Sequence, residues 1–332
     1  MGAIAGRVDC ETQPVAIIAI ATFKISGELR QSLLSKPSMS VLFADENHSL
    51  TIERPCLYLV ATPIGNLADI GNRALAVLKQ VDIVLAEDTR RSVRLLEHYA
   101  IKRQLESFHD WNESARVEAL ITRLTIGSLA VALISDAGTP LISDPGFRLV
   151  RAAHEANILI RAIPGPSAIL AALTSAGLPT DRFLFEGFLP NRKGARRAHL
   201  ATLRDEVRTM IFFEAPHRVH ETLGDLLAEF GPEREICVAR ELTKHYETLY
   251  RGSLTDVNAR VVADPNGNRG EFVIVLGGSA TPIAEASTLK LLRILLKRMS
   301  QRDAIETATE ISGLGRNELY ALALTLRHTE GD

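Results

Sequence analysis

The sequence predicts an α/β protein of two α/β domains followed by a small helical domain. Continuous apolar runs such as Val81–Ala86 and Leu129–Ile134 alternate with stretches of helical spacing. This alternation is typical of largely parallel sheets that are covered on both faces. The chain has 332 residues, of which 46 % are hydrophobic. This length suits two or three domains of about 100–200 residues each.

The first α/β domain is predicted over residues 56–166. Residues 1–55 carry no motif, and we expect a poorly ordered extension or a start codon placed too early. The predicted strands are Cys56–Ala61, Val81–Ala86, Leu129–Ile134 and Leu159–Ile163, and the predicted helices are Leu67–Gln80, Arg90–Tyr99, Glu113–Ile126 and Phe147–Ala156.

The second α/β domain is predicted over residues 167–278. Its sheet is expected to be mixed, because the run Thr248–Gly252 follows Ile236–Arg240 too closely for a helical crossover. The other predicted strands are Phe183–Phe188, Thr209–Phe213 and Glu271–Leu276, and the predicted helices are Ser167–Ala176, Ala195–Glu206, Arg218–Phe230 and Leu254–Ala263.

A helical tail is predicted over residues 287–328, after a linker at Gly277–Ala286. Its helices are Thr288–Met299, Gln301–Ile311 and Arg316–Leu326, and a glycine-containing turn separates the last two. This spacing is compatible with a helix-turn-helix and equally with a plain helical cap.

Charge and motifs exclude several classes of function. The formal net charge is −2, so any contact with nucleic acid must come from local basic patches. The sequence has no phosphate-binding P-loop, no dinucleotide fingerprint, no His-Glu-x-x-His and no Cys-x-x-Cys. Its three cysteines are widely spaced, which indicates a reducing, cytoplasmic environment and no zinc site. No apolar run approaches the roughly 18–20 residues of a membrane span.

Loops rich in Gly, Pro, Asp and Thr follow the strands of the first domain. They are Thr62–Asn66, Glu87–Arg90, Asp136–Gly146 and Pro164–Ala168. Ligands of parallel α/β sheets bind outside the carboxyl ends of the strands, which is where these loops lie. Each loop alone is compatible with ordinary turn chemistry. However, the loop Asp136–Gly146 is longer than a crossover needs. Its Asp136 and Asp144 fit turn capping better than Mg²⁺ binding, and no metal is predicted.

These loops, taken together, resemble the tetrapyrrole-methylase-like superfamily, and within it the branch of small-subunit ribosomal RNA (cytidine) ribose 2′-O-methyltransferases. The resemblance covers residues 56–278 in order, and the helical tail is similar to that branch's helix-turn-helix-like appendage. The segments that carry it are Leu59–Leu67, Ala86–Arg90, Ser135–Pro140, Ser143–Gly146, Pro164–Ala168, Glu214–Arg218, Arg240–Lys244 and Gly270–Phe272.

The resemblance implies a class III-like methyltransferase fold in which S-adenosylmethionine lies in a cleft between the two domains. It also implies a homodimer that acts on small-subunit rRNA or on the assembled small ribosomal subunit. Gly65, Asp136 and Ser167 must then meet around one crevice. The implied cofactor contacts are Thr62, Pro63, Ile64, Gly65, Asn66, Asp136, Ala137, Gly138, Thr139, Pro140, Ser143, Asp144, Gly146, Ser167 and Ala168.

Methyl transfer to a ribose hydroxyl needs alignment of oxygen, methyl and sulfur, which contributes about 7–11 kcal/mol. A general base adds about 10²–10⁴-fold. The candidates are Glu87, Glu214, Lys244 and Glu247. Lys244 would have to be neutral to accept a proton; otherwise it would hold a phosphate or polarise the hydroxyl.

A cluster of cations after Leu189-Pro190 is either a solvated charge run or a contact to RNA phosphates. The predicted RNA-binding residues are Arg90, Arg192, Lys193, Arg196, Arg197, His217 and Arg218, with the tail cations Lys297, Arg298 and Arg316.

Two alternative functions remain open from the sequence. A tetrapyrrole (precorrin-type) C-methyltransferase would share the fold, but the cationic loop and the helical tail argue against it. A non-enzymatic RNA-binding factor of ribosome assembly would sense the cofactor without transferring its methyl group.

Overall fold

The computed structural model describes residues 51–279, 283–312 and 314–329. The extension predicted over residues 1–55 falls mostly on residues 1–50, which lie outside the described residues. The described residues before the first strand pack on the domain, since Ile52 is buried, Glu53 pairs with Arg161 and Arg54 pairs with Asp82. These residues belong to the compact unit that begins at Ile52.

The first sheet is entirely parallel, with the strand order β3-β2-β4-β1-β5. Its elements are β1 (Cys56–Val60), α1 (Asn72–Leu78), β2 (Ile83–Ala86), α2 (Thr89–His98), β3 (Gln104–Ser107), α3 (Asp110–Gly127), β4 (Ala130–Ile134), α4 (Phe147–Glu155) and β5 (Leu159–Ile163). The predicted parallel sheet is confirmed. Because β1 and β4 are neighbours whose connections cross in opposite directions, the loops after them flank a crevice at the carboxyl edge.

Two details differ from the sequence prediction. The strand β3 was not predicted, because Gln104–Ser107 is a short, mostly polar edge strand without an apolar run. The predicted helix Leu67–Gln80 is divided into a 3-10 turn, Leu67–Asp69, and α1, because Gly71 between them has an extended backbone.

The second sheet is mixed, with the strand order β6-β7-β10-β8-β9. Its elements are α5 (Ala168–Ala176), β6 (Phe183–Phe188), α6 (Lys193–Thr202), β7 (Thr209–Glu214), α7 (Val219–Phe230), β8 (Glu235–Arg240), β9 (Thr248–Ser253), α8 (Leu254–Ala263) and β10 (Phe272–Leu276). β6 and β7 are parallel, and the other pairs are antiparallel. The predicted mixed sheet is confirmed.

The cores of the two domains meet at the loop after β1. Ile64, from that loop, is buried in a hydrophobic cluster on the second sheet together with Ile169, Leu242 and Val273. A separate cluster that includes Phe108 and Leu149 covers the first sheet. The loop after β1 is therefore anchored by the second domain.

The helical tail consists of α9 (Ile283–Leu296), α10 (Gln301–Ser312) and α11 (Arg316–Thr329). Leu292, Ala308 and Leu319 belong to its small core. The linker predicted up to Ala286 is too long, because the backbone is already helical at Ile283. Among the helices described, none has the length and apolar content needed to cross a membrane.

Candidate functional site

A cavity of about 420 Å³, called the cleft below, lies where the carboxyl edge of the first sheet faces the second domain. This volume is within the range of small-molecule sites, about 300–1,000 Å³. The first domain contributes Ile64, Arg91, Asp136, Ala137, Gly138, Thr139, Ile142, Ser143 and Asp144 to its wall. The second domain, together with the start of α5, contributes Ser167, Ala168, Ile169, Phe188, Phe213, Glu214, Ala215, Pro216, Leu242, Glu271, Phe272 and Val273.

The loops that follow β1, β4 and β5 are tied to one another by hydrogen bonds. Thr62 and Gly138 exchange two backbone hydrogen bonds, of 2.9 and 3.0 Å. The Thr62 hydroxyl donates to the Ser135 carbonyl at 3.2 Å, and the Thr139 hydroxyl donates to the Pro166 carbonyl at 3.2 Å. Because backbone and side-chain bonds both cross between the loops, their position relative to one another is fixed.

The loop after β4 holds an unusual backbone conformation. Gly138 has φ +85° and Gly146 has φ +133°, and two non-glycine residues between them, Leu141 and Ser143, have φ +73° and +64°. Left-handed conformations cost non-glycine residues free energy and concentrate at functional sites. The conformation turns Thr139, Ser143 and their neighbours toward the cleft.

The second domain closes over these loops at two points. A Cβ atom at Gly65 would lie 2.4 Å from Lys244 Cγ and 3.2 Å from the Leu242 carbonyl oxygen, so only glycine permits this approach. Gly187, at the bulge of β6, lies near the Ser143 hydroxyl. Asp136 and Ser167 line the cleft, and Gly65 lies beside Leu242, another residue of its wall. The three residues therefore lie around one crevice, as the resemblance implies.

Nine of the predicted cofactor contacts line the cleft, and six do not. Those in the wall are Ile64, Asp136, Ala137, Gly138, Thr139, Ser143, Asp144, Ser167 and Ala168. Those outside it are Thr62, Pro63, Gly65, Asn66, Pro140 and Gly146. Two of the latter have clear structural tasks: Thr62 links the loops, and the Asn66 side chain accepts a hydrogen bond from Ala68 N.

Arg91 lines the cleft, and sequence reasoning missed it in favour of its neighbour Arg90. The Arg91 guanidinium lies 3.3 Å from Asp136 Oδ2, while Asp136 Oδ1 accepts from Asp88 N at 2.9 Å. Arg90 instead folds back onto Asp88, the N-cap of α2, and its side chain is 89 % exposed. The signal in the sequence is Asp88, an aspartate at the start of a predicted helix, which is a preferred N-cap residue. Because the cap pairs with Arg90, Arg91 is the arginine that reaches the cleft.

Glu214 lies in the wall of the cleft, but its carboxylate is fully engaged. Its side chain is 0 % exposed. Oε1 accepts from Arg218 Nε at 2.8 Å and from Ala215 N at 2.7 Å, and Oε2 accepts from the Thr222 hydroxyl at 2.6 Å. A carboxylate with these partners is suited to holding the end of β7 against α7.

Lys244 is held in its charged form. Its ammonium donates to Glu241 at 2.7 Å and to Glu271 at 2.9 Å. Burial lowers the pKa of Lys244, but the hydrogen bonds to these two carboxylates outweigh it, so the pKa is raised above its ordinary value. The condition for a neutral lysine base, burial or nearby cations, is therefore not met.

The remaining base candidates lie outside the wall of the cleft. The Glu247 carboxylate is exposed and accepts from Thr243 N at 2.5 Å. Glu87 is half-buried at the end of β2. Glu271, which was not a base candidate, does line the cleft; its side chain is 72 % exposed and pairs with Lys244.

Two predicted RNA contacts, Arg196 and Arg218, are corrected by the structure. Arg196 is 0 % exposed and pairs with Asp225 at 2.8 Å and with Glu221 at 3.3 Å. Arg218 is 9 % exposed and is enclosed by Glu214, Asn191 and the Leu189 carbonyl. Neither guanidinium can reach a phosphate, because each is buried against a carboxylate of its own domain.

The other predicted RNA contacts are accessible. Arg192, Lys193 and His217 are exposed. The Arg197 side chain is 48 % exposed and pairs with Glu229 at 2.8 Å. The cationic segment thus has exposed members on one side of α6 and a buried member on the other.

Both parts of the chain match known protein families. Residues 56–258 match the family described as tetrapyrrole (corrin/porphyrin) methylases, and residues 282–327 match the RsmI C-terminal HTH domain. The second match favours the helix-turn-helix interpretation of the tail over a plain cap.

Relatives along most of the chain have one name in common. A protein of Pseudomonas aeruginosa named ribosomal RNA small subunit methyltransferase I is 48 % identical over 272 residues, which are 81 % of this chain and 96 % of the relative. A protein of Synechocystis with the same name is 46 % identical over 81 % of this chain and 98 % of its own length.

Solved structures match the fold at low identity. A cobalt precorrin-4 methyltransferase superposes with a TM-score of 0.51 and 18 % identity, over 67 % of this chain and 95 % of its own. The methyltransferase CobJ superposes with a TM-score of 0.51 and 20 % identity, over 68 % of this chain and 95 % of its own.

Proposed function

Because this chain belongs to the tetrapyrrole (corrin/porphyrin) methylase family, we propose that it methylates the 2′-hydroxyl of a cytidine ribose in the decoding region of small-subunit rRNA. The chain is an S-adenosylmethionine-dependent methyltransferase. The observation that carries the choice of rRNA is the 48 % identity to a small-subunit rRNA methyltransferase over nearly that relative's full length. The helical tail supports this choice, because it too matches a domain of that branch.

The chemistry of the cleft fits S-adenosylmethionine. Ile64, Ile142 and Leu242 give the cleft apolar surface, and Asp136, Thr139 and Ser167 give it polar groups. A cofactor with an aromatic base, a ribose and an amino acid end would need both kinds of surface. The cofactor supplies a methyl group already activated by the sulfonium charge. We assign its binding to the wall residues of the loops 136–144 and 167–168 together with Ile64, and assign Thr62, Pro63, Gly65, Asn66, Pro140 and Gly146 to shaping those loops.

The protein contributes mainly alignment and exclusion of water. Hydrogen bonds between the loops fix the walls, and the contact of Gly65 with Lys244 brings the second domain over them. We assign to charged Lys244 the task of polarising the hydroxyl or holding a neighbouring phosphate, since a lysine paired with two carboxylates cannot accept a proton. Glu271 is the carboxylate in the wall that Lys244 orients.

Exposed basic residues supply the proposed contacts to rRNA, which is the partner either free or within the small subunit. They are Arg90, Arg192, Lys193, Arg197 and His217. Their positions on the surface allow release of counterions on binding, so affinity should fall as salt rises. We further propose that the enzyme acts in the cytoplasm as a homodimer.

Mass spectrometry of rRNA fragments tests the proposed substrate. Cells that lack this protein should lose one ribose methylation from small-subunit rRNA, and expression of the intact chain should restore it. An unchanged methylation pattern, or a methyl group on a base, would contradict the proposal.

Binding of the cofactor is tested on the purified chain by thermal shift. At about 100 times the Kd, S-adenosylmethionine should stabilise the protein by about 2.7 kcal/mol. Asp136→Asn should reduce this shift, because Asp136 lies in the wall of the cleft. Asp181→Asn is the matched control, since Asp181 is exposed and is not part of the wall. Equal shifts in the two variants would argue against the assigned cleft.

A further inference from the structure

A second cavity, of about 430 Å³, lies in the helical tail and is called the tail pocket below. It is lined by Gln301, Arg302 and Ile305 from α10 and by Arg316, Asn317 and Tyr320 from α11. Each set occupies positions i, i+1 and i+4 of the first two turns of its helix. Ile305 is 4 % exposed and belongs to the core of the tail, so it forms the floor, and the polar residues form the walls.

The walls of the tail pocket are positively charged. They contain two arginines and no carboxylate. In the described part of the chain, neither Arg302 nor Arg316 has an ion pair. Among the acidic residues of the same helix turns, Asp303 bonds to Ser300 and Glu318 accepts from Gly315 N, while Glu306 is exposed and is not part of the pocket lining. The amino-terminal ends of both helices add further positive potential at this point.

Two further groups in the tail pocket have no hydrogen-bond partner among the described residues. Gln301 Nε2 is a buried donor that finds no acceptor among the described residues. A buried amide donor needs an acceptor, which a bound ligand or an ordered water can provide. Tyr320 leaves 52 % of its surface exposed and offers a ring face beside the arginines. Cations, an amide donor and an open aromatic ring together match the phosphate, base edge and base face of an unpaired nucleotide.

We propose that the tail pocket binds one unpaired nucleotide of small-subunit rRNA. Arg302 and Arg316 hold its phosphates, Gln301 and Asn317 meet the edge of its base, and the base stacks on Tyr320. In a helix-turn-helix the start of the second helix contacts nucleic acid, and Arg316, Asn317 and Tyr320 occupy that position. An acidic peptide would use the arginines but would leave Tyr320 and Gln301 unused. The inference rests on the proposed function, since it takes rRNA as the ligand.

The stacking contact is tested with Tyr320→Ala and its conservative counterpart Tyr320→Phe in the full chain. Binding is measured by fluorescence anisotropy of a labelled single-stranded oligoribonucleotide with the decoding-region sequence. Tyr320→Ala should weaken binding about tenfold, as expected for one base–aromatic stack, whereas Tyr320→Phe should bind like the wild type. Equal affinities of the wild type and Tyr320→Ala would overturn the proposal. Circular dichroism melting verifies that both variants fold.

The phosphate contacts are tested by the salt dependence of the same binding. Arg302→Ala should reduce the slope of log K against log salt by about 0.7, the contribution of one phosphate contact on a single strand. Lys290→Ala, which removes an exposed charge from α9 outside the tail pocket, should leave the slope unchanged. Equal changes in the two variants would overturn the proposal, as would binding of polyglutamate with the affinity of the RNA.

Methyl transfer by the wild type separates this inference from the proposed function. If the wild type transfers methyl groups to rRNA and Tyr320→Ala binds RNA equally well, only the tail pocket assignment fails. If the wild type transfers none but RNA binding depends on Tyr320, the tail pocket assignment stands and the proposed function fails.

Discussion

The loops after the strands of the first sheet and the cationic segment around α6 were both predicted to contain site residues. The structure brings most of the loop residues to the cleft but divides the cationic segment between buried and exposed positions. The loop residues largely reach the cleft, as with Asp136, Thr139 and Ser167. The cationic segment divides, because Arg196 is buried against Asp225 while its neighbour Arg197 is about half exposed. Loops at strand ends are placed by the topology of the sheet, which all of them share. A charge on a helix is placed by the helix register, and one residue changes its direction by about 100°.

The largest effect that this comparison predicts is on stability at α6. Arg196→Ala leaves the nearly buried Asp225 carboxylate without its partner, which should lower the free energy of unfolding by about 3–5 kcal/mol. Arg197→Ala should cost clearly less, because the Arg197 side chain is about half exposed and Glu229 keeps its ion pair with Arg204 at 2.6 Å. Urea unfolding measures both. Similar losses in the two variants would remove the distinction between buried and exposed cations.

Much of the fold could be predicted because its signals are local. Continuous apolar runs located β1, β2 and β4, a mostly apolar run located β5, and the short connection between β8 and β9 indicated the mixed sheet. The polar edge strand Gln104–Ser107 was missed, because its stability comes from backbone pairing with β2 and not from its own pattern.

The site was predictable to the extent that it consists of loops. Its apolar wall, including Phe188, Phe213 and Val273, carries no signal of function, because these residues read as ordinary strand residues. Partners distant in sequence were also hidden: nothing in the segment around Lys244 indicates that Glu271 would join Glu241 in fixing its charge.

A smaller effect is expected for Glu214→Gln, which tests whether Glu214 has a structural or a catalytic role. Glu214→Gln keeps the shape of the side chain but removes the charge that Arg218 and Thr222 bind, and it should cost about 1.5–3 kcal/mol of stability. The kcat of the folded enzyme should fall less than tenfold. Chemical denaturation and single-turnover methyl transfer measure the two quantities. A loss of 10²-fold or more in rate with unchanged stability would instead identify Glu214 as the general base.

Arg90 and Arg91 allow the same comparison within the first domain, because only one of these two neighbouring arginines lines the cleft. Arg91→Ala frees Asp136 in the wall of the cleft and should weaken S-adenosylmethionine binding about tenfold, equivalent to about 1.4 kcal/mol. Arg90→Ala should leave cofactor affinity unchanged, because that side chain is directed onto Asp88. Isothermal titration calorimetry with the cofactor gives both Kd values. Equal Kd values for Arg91→Ala and the wild type would show that the contact with Asp136 does not order the cleft.

The smallest expected effect concerns the charge of Asp88 at the start of α2. The hydrogen bonds from the Arg90 guanidinium, followed by that from Arg90 N, lower the pKa of Asp88 from its ordinary value of 3.8 to about 2. A lowered carboxyl pKa contributes stability that is fully present above the unfolded value and is lost as pH falls toward the folded value. Asp88→Asn keeps a capping side chain and removes only the charge. Its Tm should lie slightly below that of the wild type at neutral pH, and the difference should shrink as pH falls from about 5 toward 3. Thermal melts across this range measure the difference, and one that stays constant or grows on acidification would show that the Asp88 charge does not stabilise the start of α2.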